Sequence, residues 1–248
     1  MAAMIGRKFI LGLVLALGVS GAGYAAAWRF SPIVTEIPAN QRAAAITLKN
    51  DDRVPLNYQL RLYKWTQADN ADQYADAADM LVSPPAVTIQ PGQSYQVRLS
   101  RRAVSPLASE QSYRLFIDQL PPPRDPNNSL GVSMIMRAAL PVFVTDRKFA
   151  VQLSWRLRQD ASGLYLGVTN SGTKRVRLGW LTLQPEGQAP IAFGDALIGY
   201  VLAGAEREFK LKPAEGTKIP VLTKGTRVAL TANDSSQRNP ITATVTIQ

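Results

Sequence analysis

The 248-residue sequence contains no cysteine and no histidine. Without cysteine no disulfide can staple the fold, so a hydrophobic core has to hold it alone. The same absences exclude a thiolate nucleophile, a Ser-His-Asp triad and any zinc site built on His or Cys. An enzyme would have to work with carboxylates, lysine or serine. The 18 acidic residues are scattered through turns and form no recognisable acid–base pair. No metal, no cofactor and no catalytic group is therefore expected. Long apolar runs are scarce as well. The most prominent, Phe9 to Val19, is shorter than the roughly 20 residues a membrane-spanning helix needs.

That run reads as part of an export signal. Arg7 and Lys8 precede it, and Ala25, Ala26 and Ala27 stand just before Trp28. A charged start, an apolar stretch and a small-residue end make a secretory signal. Residues 1–27 are thus expected to be removed, with cleavage between Ala25 and Trp28. The remainder should be soluble outside the cytoplasmic membrane, with no membrane insertion. Loss of Arg7 and Lys8 takes the formal charge from +10 to +8. The cations are spread along the chain, and for an exported protein nucleic acid is not the expected target. A general attraction to acidic partners is.

What is present is alternation. Leu56, Tyr58, Leu60 and Leu62 alternate with polar positions, as do Tyr95, Val97 and Leu99. Val228 and Leu230 repeat the pattern near the C-terminus, as do Ile241, Ala243, Val245 and Ile247. Period 2 means strands with one face in a core and one in water. Turns punctuate them at Asn50-Asp51-Asp52, Pro91-Gly92, Ser171-Gly172 and Lys224-Gly225. Only Asp69 to Met80, rich in alanine, looks like a loop or one helical turn. Short strands with regular turns indicate β-sandwiches, and about 220 residues exceed one sandwich of roughly 100. The expectation is an all-β chain of two immunoglobulin-like sandwiches, 28–146 and 147–248. The boundary falls in the polar cluster Thr145-Asp146-Arg147-Lys148.

One segment stands apart. Ser129 to Val144, SLGVSMIMRAALPVFV, is far longer than the usual strand of about 5 to 6 residues. In its first half Leu130, Val132, Met134 and Met136 alternate with Gly131, Ser133, Ile135 and Arg137. Its second half is apolar on both faces, as a strand covered on both sides would be. Pro141 donates no ladder hydrogen bond and belongs at an edge or a bulge. A long apolar edge is an aggregation hazard unless another chain is meant to pair with it. Methionine side chains adapt to irregular partner surfaces. The other reading is a long core strand of an ordinary sandwich. Upstream, SYRLFIDQLPPP (Ser112 to Pro123) puts Tyr113, Leu115 and Ile117 on one face and Arg114, Phe116 and Asp118 on the other.

YRLFIDQLPPP, a polar loop, and then MIMRAALPVFV resemble the paired F and G strands of periplasmic pilus-assembly chaperones. These are the PapD-like proteins of the chaperone–usher pathway. The LPVFV ending is similar to their archaic, spore-coat-type branch. ITLKNDD (Ile46 to Asp52) and SPPAVTIQPGQSYQVRLSRR (Ser83 to Arg102) resemble further family stretches. The resemblance covers about 28 to 146, and the rest fits in a general way.

The resemblance implies a boomerang of two domains with a cleft between them. It also implies a donor strand that completes an unfinished pilus subunit by backbone pairing, held in a 1:1 complex until an outer-membrane usher replaces it. The donor residues implied are Leu130, Val132, Met134 and Met136. Family members anchor the subunit's C-terminal carboxylate with an arginine on the first strand and a lysine on the G strand. Here no arginine lies between Ser31 and Gln41, and Pro141 falls about where the lysine would. Arg114 and Arg137 are the candidate replacements, since a guanidinium fork suits a carboxylate. Arg98 is expected in a structural ion pair. An exposed edge makes self-association of the free chain plausible. The alternatives are a structural pilus subunit or surface adhesin, and an exported carbohydrate-active enzyme. A subunit would be a single incomplete sandwich, which two domains' worth of strands argues against.

Overall fold

A computed structural model describes residues 28–121, 135–193, 197–234 and 239–248. The export segment and the donor candidates Leu130, Val132 and Met134 lie outside the described residues. Every regular element described is a strand. The first ten are β1 (Trp28–Ser31), β2 (Thr35–Pro38), β3 (Ala43–Asn50), β4 (Leu56–Ala68), β5 (Ala71–Asp76), β6 (Met80–Ser83), β7 (Ala86–Ile89), β8 (Ser94–Arg101), β9 (Gln111–Gln119) and β10 (Arg137–Thr145). The second set is β11 (Leu153–Asp160), β12 (Gly163–Asn170), β13 (Val176–Pro185), β14 (Ile191–Ala192), β15 (Leu197–Val201), β16 (Glu206–Leu211), β17 (Arg227–Asp234) and β18 (Asn239–Thr246).

Four sheets pair off into two sandwiches. In the first, the order β1-β3-β8-β6 faces β2-β10-β9-β4-β5, with β7 beside β4. Alternation does the work. Tyr58 and Leu60 on β4, Val97 and Leu99 on β8, and Leu115 and Ile117 on β9 are all buried in one core with Ile46 and Val142. In the second, β11-β12-β16 faces β14-β13-β17-β18, with β15 beside β13. Its core contains Leu157, Leu166, Val168, Leu178, Leu183, Val228 and Leu230, and it continues into Trp65 and Phe143 of the first sandwich.

The Asp69–Met80 stretch departs from its expectation. It is not a loop or helical turn but mostly an edge strand, with β5 paired to β4 from Tyr63↔Asp76 to Ala68↔Ala71. Asp69 and Asn70 take φ of 51° and 58°, both left-handed. Those are the two central residues of a type I′ hairpin, a conformation Asp and Asn tolerate. Tertiary pairing overrides the helical preference of alanine here, and all six β5 residues remain exposed.

The junction between the sandwiches contains a buried ion pair. Arg175 and Glu110 have fully buried side chains 2.5 Å apart, and Glu36 contacts the same guanidinium from β2. The Arg175 carbon centre lies 3.5 Å from the Phe143 ring centroid. Its backbone is held too, since Arg175 N–H donates to Glu110 Oε1 and Glu110 N–H donates to the Thr173 carbonyl. Gly172 allows this turn to settle, because a Cβ there would lie 2.4 Å from the Ala150 carbonyl oxygen.

Candidate partner-binding site

β10 is two different strands in sequence. From Val142 to Val144 it lies between β9 and a parallel β2, and Thr145 pairs with β2 alone. From Arg137 to Pro141 it pairs with β9 alone, and no strand among the described residues pairs with its other edge. Its phase follows from one bond, Gln119 N–H to the Met136 carbonyl, which makes 136↔119 a hydrogen-bonded pair. In an antiparallel ladder the next residue then points its backbone groups the other way. Arg137 and Ala139 therefore turn their N–H and C=O toward the open edge. Pro141 turns the same way and supplies no donor.

The side chains sort by the same alternation. Leu140, Val142 and Val144 enter the first core, with Ala138 half-buried against it. Met136, the one donor candidate among the described residues, is half-buried at the mouth of that core. Its sulfur accepts a 3.0 Å hydrogen bond from the Trp28 indole N–H. Trp28 in turn stacks on Tyr58 with centroids 5.7 Å apart. Residue 28 thus touches the place where β10 emerges.

The opposite face of the β10-β9-β4-β5 sheet carries arginines and aromatics. Cross-strand partners are Arg137↔Asp118, Ala139↔Phe116 and Pro141↔Arg114, continuing to Arg61↔Phe116 and Tyr63↔Arg114 on β4. Arg114 and Arg137 thus share a face on adjacent strands but stand four register positions apart, about 13 Å. Their surroundings differ. Arg137 is paired with Asp118, which also accepts a 2.6 Å bond from Arg61. Burial pushes the Asp118 carboxyl up, but the bonds from Arg137 and Arg61 outweigh it and hold the group below its ordinary value. Arg114 has no carboxylate within ion-pair distance among the described residues. Its guanidinium lies flat over Trp65, 3.8 Å from the ring centroid, and 5.8 Å from that of Tyr200. Pro141 sits directly across from it and leaves its approach free of a long side chain. A half-buried guanidinium on an aromatic bed, beside an open strand edge, is suited to holding an incoming anion.

Arg98, expected in an ion pair, has none among the described residues. It stands exposed on β8 between Ala45 and Ser83, whose short side chains offer no charge. Sequence reasoning missed Trp65 and Tyr200, the bed under Arg114. Trp65 lies in the last third of a 13-residue strand, beyond the alternation that marked β4, and only that unusual length hinted at a second role.

Residues 31–148 match the family described as pili and flagellar-assembly chaperone, PapD N-terminal domain. No curated protein sequence matches the chain. Among solved structures, the CsuC chaperone of a chaperone–tip adhesion subunit pre-assembly complex, from archaic chaperone–usher Csu pili of Acinetobacter baumannii, aligns at 25% identity. The match covers 90% of this chain and 100% of that one, with a TM-score of 0.67. A structure of the Salmonella enterica SafA pilin in complex with the SafB chaperone aligns at 18% identity over 90% and 98% of the two chains, TM-score 0.59. The YadV chaperone aligns at 16% over 88% and 98%, TM-score 0.58. Residues 31–148 thus carry the likeness to the PapD N-terminal domain of pilus-assembly chaperones, and the chain has the two-domain, all-β fold of these solved chaperones.

Proposed function

We propose that the chain is a periplasmic chaperone that captures pilus subunits by donating a strand and hands them to an outer-membrane usher. Residues 1–27 would be the signal, 28–146 the capturing domain and 147–248 its companion. The observation that carries this is the open edge of β10 from Arg137 to Pro141. A partner strand adds there by main-chain hydrogen bonds, and alternate side chains of the host fill the partner's groove. Leu130, Val132, Met134 and Met136 are the donor run. They share the parity that faces the host's own core farther along β10, so one alternating face would serve two cores in turn. Arg114 binds the guest's C-terminal carboxylate. Arg137 is occupied by Asp118 and keeps the start of β10 seated on β9.

No chemistry is involved. The guest's missing hydrogen bonds and apolar contacts are supplied by the host until the next subunit supplies them instead. Relatives caught with a tip adhesion subunit and with a pilin support the class of partner. The test is co-expression of the Val132→Asp, Met134→Asp double variant with a pilus subunit. The expected result is loss of the soluble 1:1 complex with the chaperone still folded. Normal accumulation of the subunit would exclude donor-strand capture.

A further inference from the structure

The second sandwich reaches the Arg114 bed through one residue. Tyr200 lies on β15 and is 9% exposed. Its ring stands edge-on to Trp65, centroids 5.5 Å apart at 77°, and 5.9 Å from Phe143. The Arg114 guanidinium therefore has Trp65 beneath it and Tyr200, from the other sandwich, at its side.

Tyr200 is held there from the first sandwich. Gln67, two residues past Trp65, donates from Nε2 to the Tyr200 carbonyl at 3.0 Å and accepts at Oε1 from Leu202 N–H at 2.9 Å. One side-chain amide thus grips the backbone on both sides of Val201 as a neighbouring strand would. Two more bonds from the same hairpin fasten the second sandwich. Glu208 N–H donates to Asn70 Oδ1 at 2.7 Å, and Arg207 pairs with Asp72 at 2.9 Å.

We propose that Tyr200 is a positioning residue for the Arg114 carboxylate site, and that Gln67 sets it in place. An arginine side chain loses rotamer freedom when it is fixed. Aromatic walls on two sides restrict it before the guest arrives, so less is lost on binding. They also exclude water, which strengthens its attraction to a carboxylate. Anchoring then depends on both sandwiches being fastened together.

The inference rests on Arg114 being the anchor, so the test separates the two. The mature chain is titrated with a synthetic peptide of about twelve alternating valine and threonine residues, ending in either a carboxylate or a carboxamide. The unaltered chain should prefer the carboxylate by about tenfold or more, and Arg114→Gln should abolish that preference. Tyr200→Leu should lower the preference by about threefold or more, while Tyr200→Phe should leave it unchanged. Loss of core packing alone would weaken both peptides equally. A native preference in Tyr200→Leu overturns the inference and leaves Arg114 standing. No preference in the unaltered chain, or an unchanged one in Arg114→Gln, overturns both. Should Tyr200→Leu fail to fold, Gln67→Leu replaces it, and a native ratio there overturns the inference.

Discussion

Two arginines at the junction of the sandwiches rest on aromatic faces, and they have opposite surroundings. Arg175 lies over Phe143, fully buried, with Glu110 and Glu36 on its guanidinium. Arg114 lies over Trp65, half-buried, with no carboxylate beside it among the described residues. The first is a charge whose partners are built into the fold. The second has no acid beside it among the described residues, and its guanidinium donates to the Ala139 carbonyl at 3.4 Å. Arginine on an aromatic ring is therefore not a sign of function by itself. The acids around it decide.

The comparison breaks most sharply at Arg175. Arg175→Ala leaves Glu110 buried and unpaired and should cost about 3–5 kcal/mol in urea unfolding. A loss under about 1 kcal/mol would mean the junction pair contributes little. Removing both charges with Glu110→Gln and Arg175→Met should recover most of that loss, because well-packed neutral groups often match a buried pair. At Arg114 the balance reverses. Arg114→Gln should change stability by no more than about 1 kcal/mol, while binding of a carboxylate-ended guest weakens by about tenfold or more. Equal losses at both arginines, in stability and in capture, would erase the distinction.

The smallest effect belongs to Asp118. Its carboxyl is held below its ordinary value, so the stability it contributes is present above about pH 3.9 and is lost as pH falls through the lowered value. Arg61 and Arg137 are well exposed, which limits the contribution to about 1 kcal/mol or less. The protection factor of the Gln119 amide, bonded to Met136, should fall on acidification once the slower intrinsic exchange is divided out. In Asp118→Asn the same amide should exchange faster at neutral pH, with no further acid step. An unchanged acid step in that variant would assign it to another group.

Much of this was legible in the sequence because burial follows period 2. Leu56 to Leu62, Val97 and Leu99, and Val228 and Leu230 all form strands whose apolar face lies in a core. Of the apolar second half of the Ser129–Val144 segment, Leu140 to Val144 are buried on both faces as its composition suggested, while Ala139 is exposed. Leu140, Val142 and Val144 serve the first core, and Phe143 on the other face serves the junction. What was not legible depends on contacts between distant positions. Glu110 meets Arg175 across 65 residues and Gln67 meets Tyr200 across 133, and neither pair has a local signature. β5 was misjudged because its composition favours helix, while a two-residue turn and the neighbouring β4 impose the strand.

Pro141 marks the point where β10 passes from open edge to an edge covered by β2. A guest strand growing along the edge from Arg137 meets, at Pro141, a position with no N–H to offer, and one residue later an edge already taken. On the proposed function, the host would measure out the length of shared ladder. Guests of different sequence would all halt at the same mark, with their chain ends brought to the same cation.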